Sequence, residues 1–448
     1  MNPHRSALLL AEHLRNKIGH ARKLCVAFSG GLDSTVLLAG LAQLRDDQLP
    51  DIQLRALHVH HGLSQFADHW ATHCHDFCQH RNIGLSVIKV QVNAQDGGIE
   101  AAARAARYQA FSAQLEEGEV LLTAQHLNDQ CETFLLALKR GSGPAGLSSM
   151  SADSMGLGYR LLRPLLDLSR DQLEEYADQH QLTWVEDDSN GDDRFDRNFL
   201  RLDILPSFYA RWPHFAQSTA RSASLCAEQE SLLDELLNES LIALTDEQGS
   251  LSVEGIEGFS PARRSALLRR WLAGRGAKMP SREQLQRIWD EVAMSREDAK
   301  AQLQLGNLSV RRFRQRLYLL PQYSSLKDQV ISWDPADMLL LPDDLGVLSV
   351  SLDLADDGEN CVIRQPRDGE TITVRFHAQG MIEKFGRDRA RQAKKLWYEL
   401  GVPPWQRDRI PLIYYNEQLI AAAGWFITRQ ALAENNEGQW SLVWSVAQ

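Results

Sequence analysis

The chain lacks any apolar run long enough for a membrane span. Ala7–Leu10 is broken by Glu12 and Arg15, far short of the roughly 18 residues a spanning helix needs. No apolar core followed by a small-residue cleavage site opens the chain, so no secretory signal and a cytoplasmic location are expected. Cysteine is scarce: Cys25, Cys74, Cys78, Cys131, Cys226 and Cys361 are six in 448 residues. That excludes a disulfide scaffold and leads us to expect buried thiols in a reducing compartment. Positive charge is also in deficit. A net charge of −11 argues against blanket affinity for nucleic acid, so such a partner would have to meet local basic patches. Internal repeats and low-complexity segments are missing too. What is present is an ordinary globular composition, 44% hydrophobic and 24% charged. At roughly 100–200 residues per domain, the length implies two to four domains.

Strand and helix signals alternate through the first part. Apolar runs at Leu24–Phe28, Leu54–His60, Leu85–Val92, Val120–Ala124 and Tyr159–Leu162 are separated by helical patterns at Ser34–Leu44, Ile99–Leu115 and Asp129–Lys139. A more polar helix carries Trp70, Phe77 and Cys78 on one side, and Ser169 caps another. The alternation predicts an α/β fold with a doubly wound parallel sheet, whose ligands sit at the carboxyl ends of the strands. It stops near Trp212-Pro213. A long helix is expected from Ser218 to about Thr245, with Leu225, Leu232, Leu233, Leu236 and Leu237 on its apolar face. Further helices start at Ser260-Pro261 and at Ser281 with Gln284, and Gln302–Leu320 reads as a hairpin turning at Gly306-Asn307. A smaller α+β region follows, with strands near Leu348–Leu352 and Thr371–Phe376, a basic helix near Arg387–Leu400 and a hairpin at Asn416-Glu417. The expected domains are residues 1–215, a mainly helical 216–325, and a small α+β 334–448.

The most informative segment is Leu24–Ser34, in which a buried strand runs through Ser29-Gly30-Gly31-Leu32-Asp33-Ser34 into a helix. Two glycines permit φ > 0 and close approach of a ligand to the backbone. The free N–H groups and positive dipole end of the helix face the same concavity, which makes an anion site with phosphate the obvious anion. The spacing is neither that of a Walker loop nor that of a dinucleotide fold. As glycines alone, the segment would serve equally as a plain strand–turn–helix corner capped by Asp33 or Ser34.

The full string Ser-Gly-Gly-Leu-Asp-Ser resembles the signature of the PP-loop ATP pyrophosphatases. The resemblance implies that ATP is split into AMP and diphosphate, that Ser29–Ser34 hold the phosphates, and that Asp33 helps bind Mg²⁺. Three further segments narrow the match. Thr123–Thr133 sits at a strand end entering a helix, where Asp129 and Glu132 share one face. Arg104 and Arg107 form an i, i+3 pair suited to phosphate. Trp184–Asn190 and Asp196–Asn198, with Arg201, form a dense polar stretch before Pro206, and Arg140–Leu147 is a glycine-rich loop.

Together with the basic C-terminal segment and Gly401–Trp405, these residues resemble the bacterial tRNA(Ile)-lysidine synthetase family in its long form, over essentially the whole chain. The resemblance implies that the 2-oxygen of the wobble cytidine in CAU-anticodon tRNA(Ile) is adenylated, and that free L-lysine then attacks and expels AMP. It suggests that His126, Asp129, Glu132, Arg107 and Arg197 line the reaction site with Asp33. Asp129 or Glu132 would bind and help deprotonate the lysine ammonium, since an amine must lose its proton to attack. A homodimer is compatible with this reading. One departure is Asn128, where many relatives have aspartate; the plain reading of Asn128 is a helix cap.

Other features invite weaker readings. His73–His80 looks metal-like, yet Cys74 and Cys78 lack a second pair at zinc spacing, so a helix with one buried side is expected. His58, His60 and His61 end a strand, for packing or for adenosine contact. Lys384–Lys395 holds six basic residues against one acidic. Arg387, Arg391, Lys394 and Lys395 there, and Arg263, Arg264, Arg269 and Arg270 in a second cluster, are candidate tRNA phosphate contacts. Rival functions are sulfur transfer by another PP-loop enzyme, disfavoured by the missing Cys-x-x-Cys, an amide-forming synthetase, and a silent tRNA-binding protein.

Overall fold

The computed structural model describes residues 3–62, 64–91, 99–156, 158–186, 191–296, 299, 301–352, 361–434 and 437–446. Val92 and Asp187–Asn190, singled out in the sequence, lie outside them. The chain divides into two compact units, residues 1–235 and 236–448. Among the described residues no helix is long and apolar enough to cross a membrane.

The first unit runs α1 (Pro3–Ile18), β1 (Lys23–Ala27), α2 (Leu32–Asp47), β2 (Gln53–His60), α3 (Ala67–Gln79), β3 (Gly84–Lys89), α4 (Ile99–Gln114), β4 (Val120–Leu122), α5 (Leu127–Lys139), α6 (Pro144–Leu147), β5 (Asp153–Gly156), β6 (Tyr159–Leu162), α7 (Arg170–Gln179), α8 (Asp196–Phe199) and α9 (Leu205–Arg211). The sheet order is β3-β2-β1-β4-β6-β5. Every pairing is parallel except β5 with β6, a hairpin added at the edge that the apolar pattern does not announce. Because strand side chains alternate faces, Leu24 and Val26 of β1 enter one core while Cys25 enters another. The larger core joins α1, α2, α3 and α7; the smaller one packs Phe111 of α4 on Leu57, Leu121 and Leu161. Connections from β1 and β4 leave the sheet at its topological switch point, where a crevice opens beyond the strand ends.

The long helix α10 (Phe215–Leu244) begins three residues before the expected Ser218. Its leucines do not form the buried face that their spacing suggests. Leu225, Leu232, Leu233 and Leu236 are 40–65% exposed, and Leu237 alone of the five is buried. The spacing reports a helix but not what covers it.

In the second unit β7 (Leu251–Ser252), α11 (Val253–Glu257), α12 (Pro261–Ala273), α13 (Arg282–Arg287), β8 (Gln302–Leu305), β9 (Leu308–Phe313) and β10 (Arg316–Pro321) surround one apolar core. The expected hairpin at Gly306-Asn307 is the first half of a meander β8-β9-β10 with β7 added at its edge. A second core, containing Trp333, Phe376, Tyr415 and Leu442, lies within antiparallel sheets of the C-terminal part. The hairpin at Asn416-Glu417 is present between Leu412–Tyr415 and Gln418–Ala422. The basic segment is not one helix, however. Only Ala393–Glu399 is helical; Arg391–Gln392 pairs as a strand with Met381–Ile382.

Candidate active site

β1 ends at Ala27, and the backbone then turns through Ser29-Gly30-Gly31 into α2. Gly30 has φ +87°, and a Cβ there would lie 2.9 Å from Cys74 Sγ. Gly31 caps α2 with no side-chain hydrogen bond, so the first-turn amides and the positive helix end face the crevice. Side chains tighten the loop from within. Ser29 Oγ lies 3.1 Å from Ser34 Oγ, Ser34 Oγ donates to Gly31 O at 3.0 Å, and Thr35 Oγ1 donates to Gly30 O at 3.3 Å.

Facing this loop is the start of α5. His126, not Asn128, is its cap: His126 Nδ1 accepts from Asn128 N–H at 3.2 Å, and His126 N–H donates to Asp129 Oδ2 at 3.0 Å. This corrects the reading of Asn128, whose Oδ1 instead accepts from Arg170 N–H at 3.0 Å and so binds the first turn of α7. With Nδ1 used as an acceptor, the ring proton of His126 is assigned to Nε2, which lies 3.6 Å from Asp33 Oδ2 and 3.5 Å from Asp129 Oδ2.

A second layer sits behind these groups. Glu132 is 1% exposed and receives Arg201 Nε at 2.9 Å and Nη2 at 3.0 Å, a bidentate pair. Arg201 Nη2 also reaches Asp129 Oδ1 at 3.3 Å, and Arg197 Nε lies 3.7 Å from Glu132. Burial pushes the Glu132 carboxyl above its ordinary range, with Arg201 opposing. Burial likewise pushes Asp33 up, with His126 opposing. Asp33 Oδ1 is buried and accepts no hydrogen bond.

These elements enclose a cavity of about 190 Å³ lined by Ser29, Gly31, Asp33, Ser34, Arg104, Arg107, Tyr108, Thr123, Gln125, Asp129 and Arg197 among others. Arg104 stacks over Tyr108 with its guanidinium 5.0 Å from the ring centre. The cavity thus brings Asp33, in the first turn of α2, and Asp129 together with Arg104, Arg107, Arg197 and the helix amides. Such an arrangement can bind a polyphosphate, stabilise a departing diphosphate, and hold an ammonium beside carboxylates.

The expected residues separate into positions. Ser29, Gly31, Asp33, Ser34, Arg107, Asp129 and Arg197 line the cavity, whereas Gly30, Leu32, His126 and Glu132 lie behind it. Arg201 stands out in the sequence only as part of a polar stretch; its i, i+4 spacing from Arg197 is the available signal, as it mirrors the Asp129/Glu132 pair. α8 runs directly into a π-helical turn, Leu200–Ile204, that carries Arg201. Among the described residues no cluster of three metal-ligating side chains forms.

Of the candidate tRNA arginines Arg263 and Arg391 are exposed and Arg264, Arg269, Arg270 and Arg387 half-buried, and all are partly engaged. Arg263 lies 3.9 Å over Phe259 and Arg264 4.2 Å over Trp289, while Arg269 donates to Pro280 O and Arg270 to Ala266 O. Arg387 and Arg391 pair with Glu399. Lys394 and Lys395 make no ion pair among the described residues.

Family models match three stretches: the PP-loop domain over residues 5–208, the TilS substrate binding domain over 251–318 and the TilS substrate C-terminal domain over 372–444. Full-length relatives are equally similar. A tRNA(Ile)-lysidine synthase of Serratia proteamaculans is 59% identical, with 97% of this chain and 98% of that protein covered. One of Edwardsiella ictaluri is 54% identical over 98% and 99%, and one of Shigella flexneri 52% over 96% and 98%.

Proposed function

The chain belongs to the tRNA(Ile)-lysidine synthase family, and from that premise we propose that it joins free L-lysine to carbon 2 of the wobble cytidine in CAU-anticodon tRNA(Ile). ATP is split to AMP and diphosphate through an adenylated cytidine. The observation that carries this reading is the cavity lined by the start of α2 with Asp33, by Asp129 and by three arginines, where the helix start has no side-chain cap.

Residues Ser29–Ser34 hold the phosphates, and Arg104, Arg107 and Arg197 neutralise them. Asp33 Oδ1, buried without a partner, fits Mg²⁺, which takes one or two protein carboxylates and completes its shell with phosphate oxygens and water. When bound, the ion offsets charge on the departing diphosphate. Asp129 lines the cavity, so we assign it to the lysine ammonium and to taking its proton. Glu132, already held by Arg201, keeps that guanidinium in place for Asp129. The tRNA is gripped by the basic side chains of residues 216–325 and 334–448, with 1–215 as the catalytic part. A cytoplasmic enzyme, acting as a homodimer, completes the reading.

The test is AMP formation from labelled ATP with CAU-anticodon tRNA(Ile), Mg²⁺, and lysine added or withheld. AMP that needs the tRNA, with labelled lysine entering the RNA, is expected. No AMP from that mixture would return the protein to sulfur transfer or silent tRNA binding. Asp33→Asn should abolish diphosphate release.

A further inference from the structure

The glycine loop is held from behind by three residues that do not line the cavity. His58, on β2, is 4% exposed, and its Nδ1–H donates to Phe28 O at 2.9 Å. The β1–β2 ladder ends at Ala27 with Leu57, and Phe28 N–H still donates to Leu57 O at 2.8 Å. Phe28 O is the carbonyl that would carry the ladder one step further. The imidazole takes it instead, which fixes the point where the backbone leaves the sheet for Ser29. Cys74 Sγ sits 3.5 Å from the same Nδ1 and occupies the space where a Gly30 side chain would be. Val185 N–H donates to Gly30 O at 2.9 Å.

We propose that His58 is a positioning residue for ATP: its Nδ1–H, with Cys74 packed beside it, sets where the Ser29–Gly31 amides meet the phosphates. The proposal rests on the ATP reading of the loop. A bond that only stabilised the sheet would be needed for folding and would leave nucleotide affinity untouched. One that aims the loop acts on ATP and leaves lysine and tRNA alone. An asparagine can place a side-chain N–H near the position of Nδ1; leucine fills the volume without a donor.

The experiment compares wild type, His58→Asn, His58→Leu and Cys74→Ala, each as the full chain. It reads the ATP dissociation constant, the melting temperature, and KM for ATP, lysine and tRNA. Expected for His58→Leu is about a tenfold loss of ATP affinity, the change that one hydrogen bond of ordinary net strength gives, with KM for lysine and tRNA within about twofold. His58→Asn should recover most of the loss. Cys74→Ala, which keeps the imidazole but loosens its packing, should lie between wild type and leucine. Equal ATP affinity in folded His58→Leu overturns the proposal, as does a parallel rise in all three KM values. If His58→Leu does not fold, wild-type ATP affinity in Cys74→Ala together with a loss in His58→Asn overturns it. If wild type binds no ATP, the reading of the loop itself has failed instead.

Discussion

Asp33 and Glu132 are carboxylates that the fold makes costly to ionise, and in both the first cause is burial. The consequence for stability has a definite sign. An unfolded aspartate titrates near 3.8, and the folded value is higher, so the folded state binds the extra proton in between. Stability therefore falls as pH rises through that window, and above it the ionised Asp33 is a standing cost. Asp33→Asn should raise the melting temperature near neutrality, while abolishing diphosphate release. The gain should vanish as the pH is lowered toward 3.8; thermal melts across a pH series check it. Arg201 gives the opposite case. Arg201→Leu removes the bidentate partner of buried Glu132 and leaves only the longer contact to Arg197 at 3.7 Å, and a loss of about 3 kcal/mol is expected in chemical denaturation.

At the scale of elements, two adjacent glycines predict different outcomes. Gly30→Ala meets both a positive φ and Cys74 Sγ at 2.9 Å, so it should cost more than about 1 kcal/mol and displace the loop. Gly31 has φ −74° and ordinary spacing to Ser29 Oγ. Gly31→Ala should leave the melting temperature within about 2 °C yet weaken ATP binding, because its methyl enters the phosphate cradle. The strand–glycine–helix corner and the start of α5 are legible in the sequence because each is a local pattern of apolar run, turn residue and helix periodicity. The place of Arg201 among the reacting groups is not legible, because its partners Glu132 and Asp129 lie 69 and 72 residues away and no local spacing reports such a meeting. The leucines of α10 mislead for a related reason, since periodicity identifies a face and not its neighbour. Leu232→Gln, at an exposed position, should cost under about 0.5 kcal/mol, whereas Leu237→Ala should cost about 2–4 kcal/mol.

For the molecule as a whole, the net charge of −11 makes any tRNA contact a local exception, and the exceptions differ in quality. Lys394 and Lys395 are unpaired among the described residues, whereas Arg387 answers to Glu399. Replacing the two lysines with alanine should lower the slope of log affinity against log salt by about 2, close to one for each phosphate no longer neutralised. Arg387→Ala should lower it by less, and a salt titration of tRNA binding decides. The bond from Val185 N–H to Gly30 O has a different reach, one that concerns the chain while it is being made. The two residues are 155 positions apart (185 minus 30), and a ribosome adding roughly 5–20 residues per second takes roughly 8–30 s to cross that distance. Through that interval the loop has its strand and its helix but not the amide that pins Gly30, so the nascent chain acquires its grip on nucleotide only after most of the first unit has been synthesised.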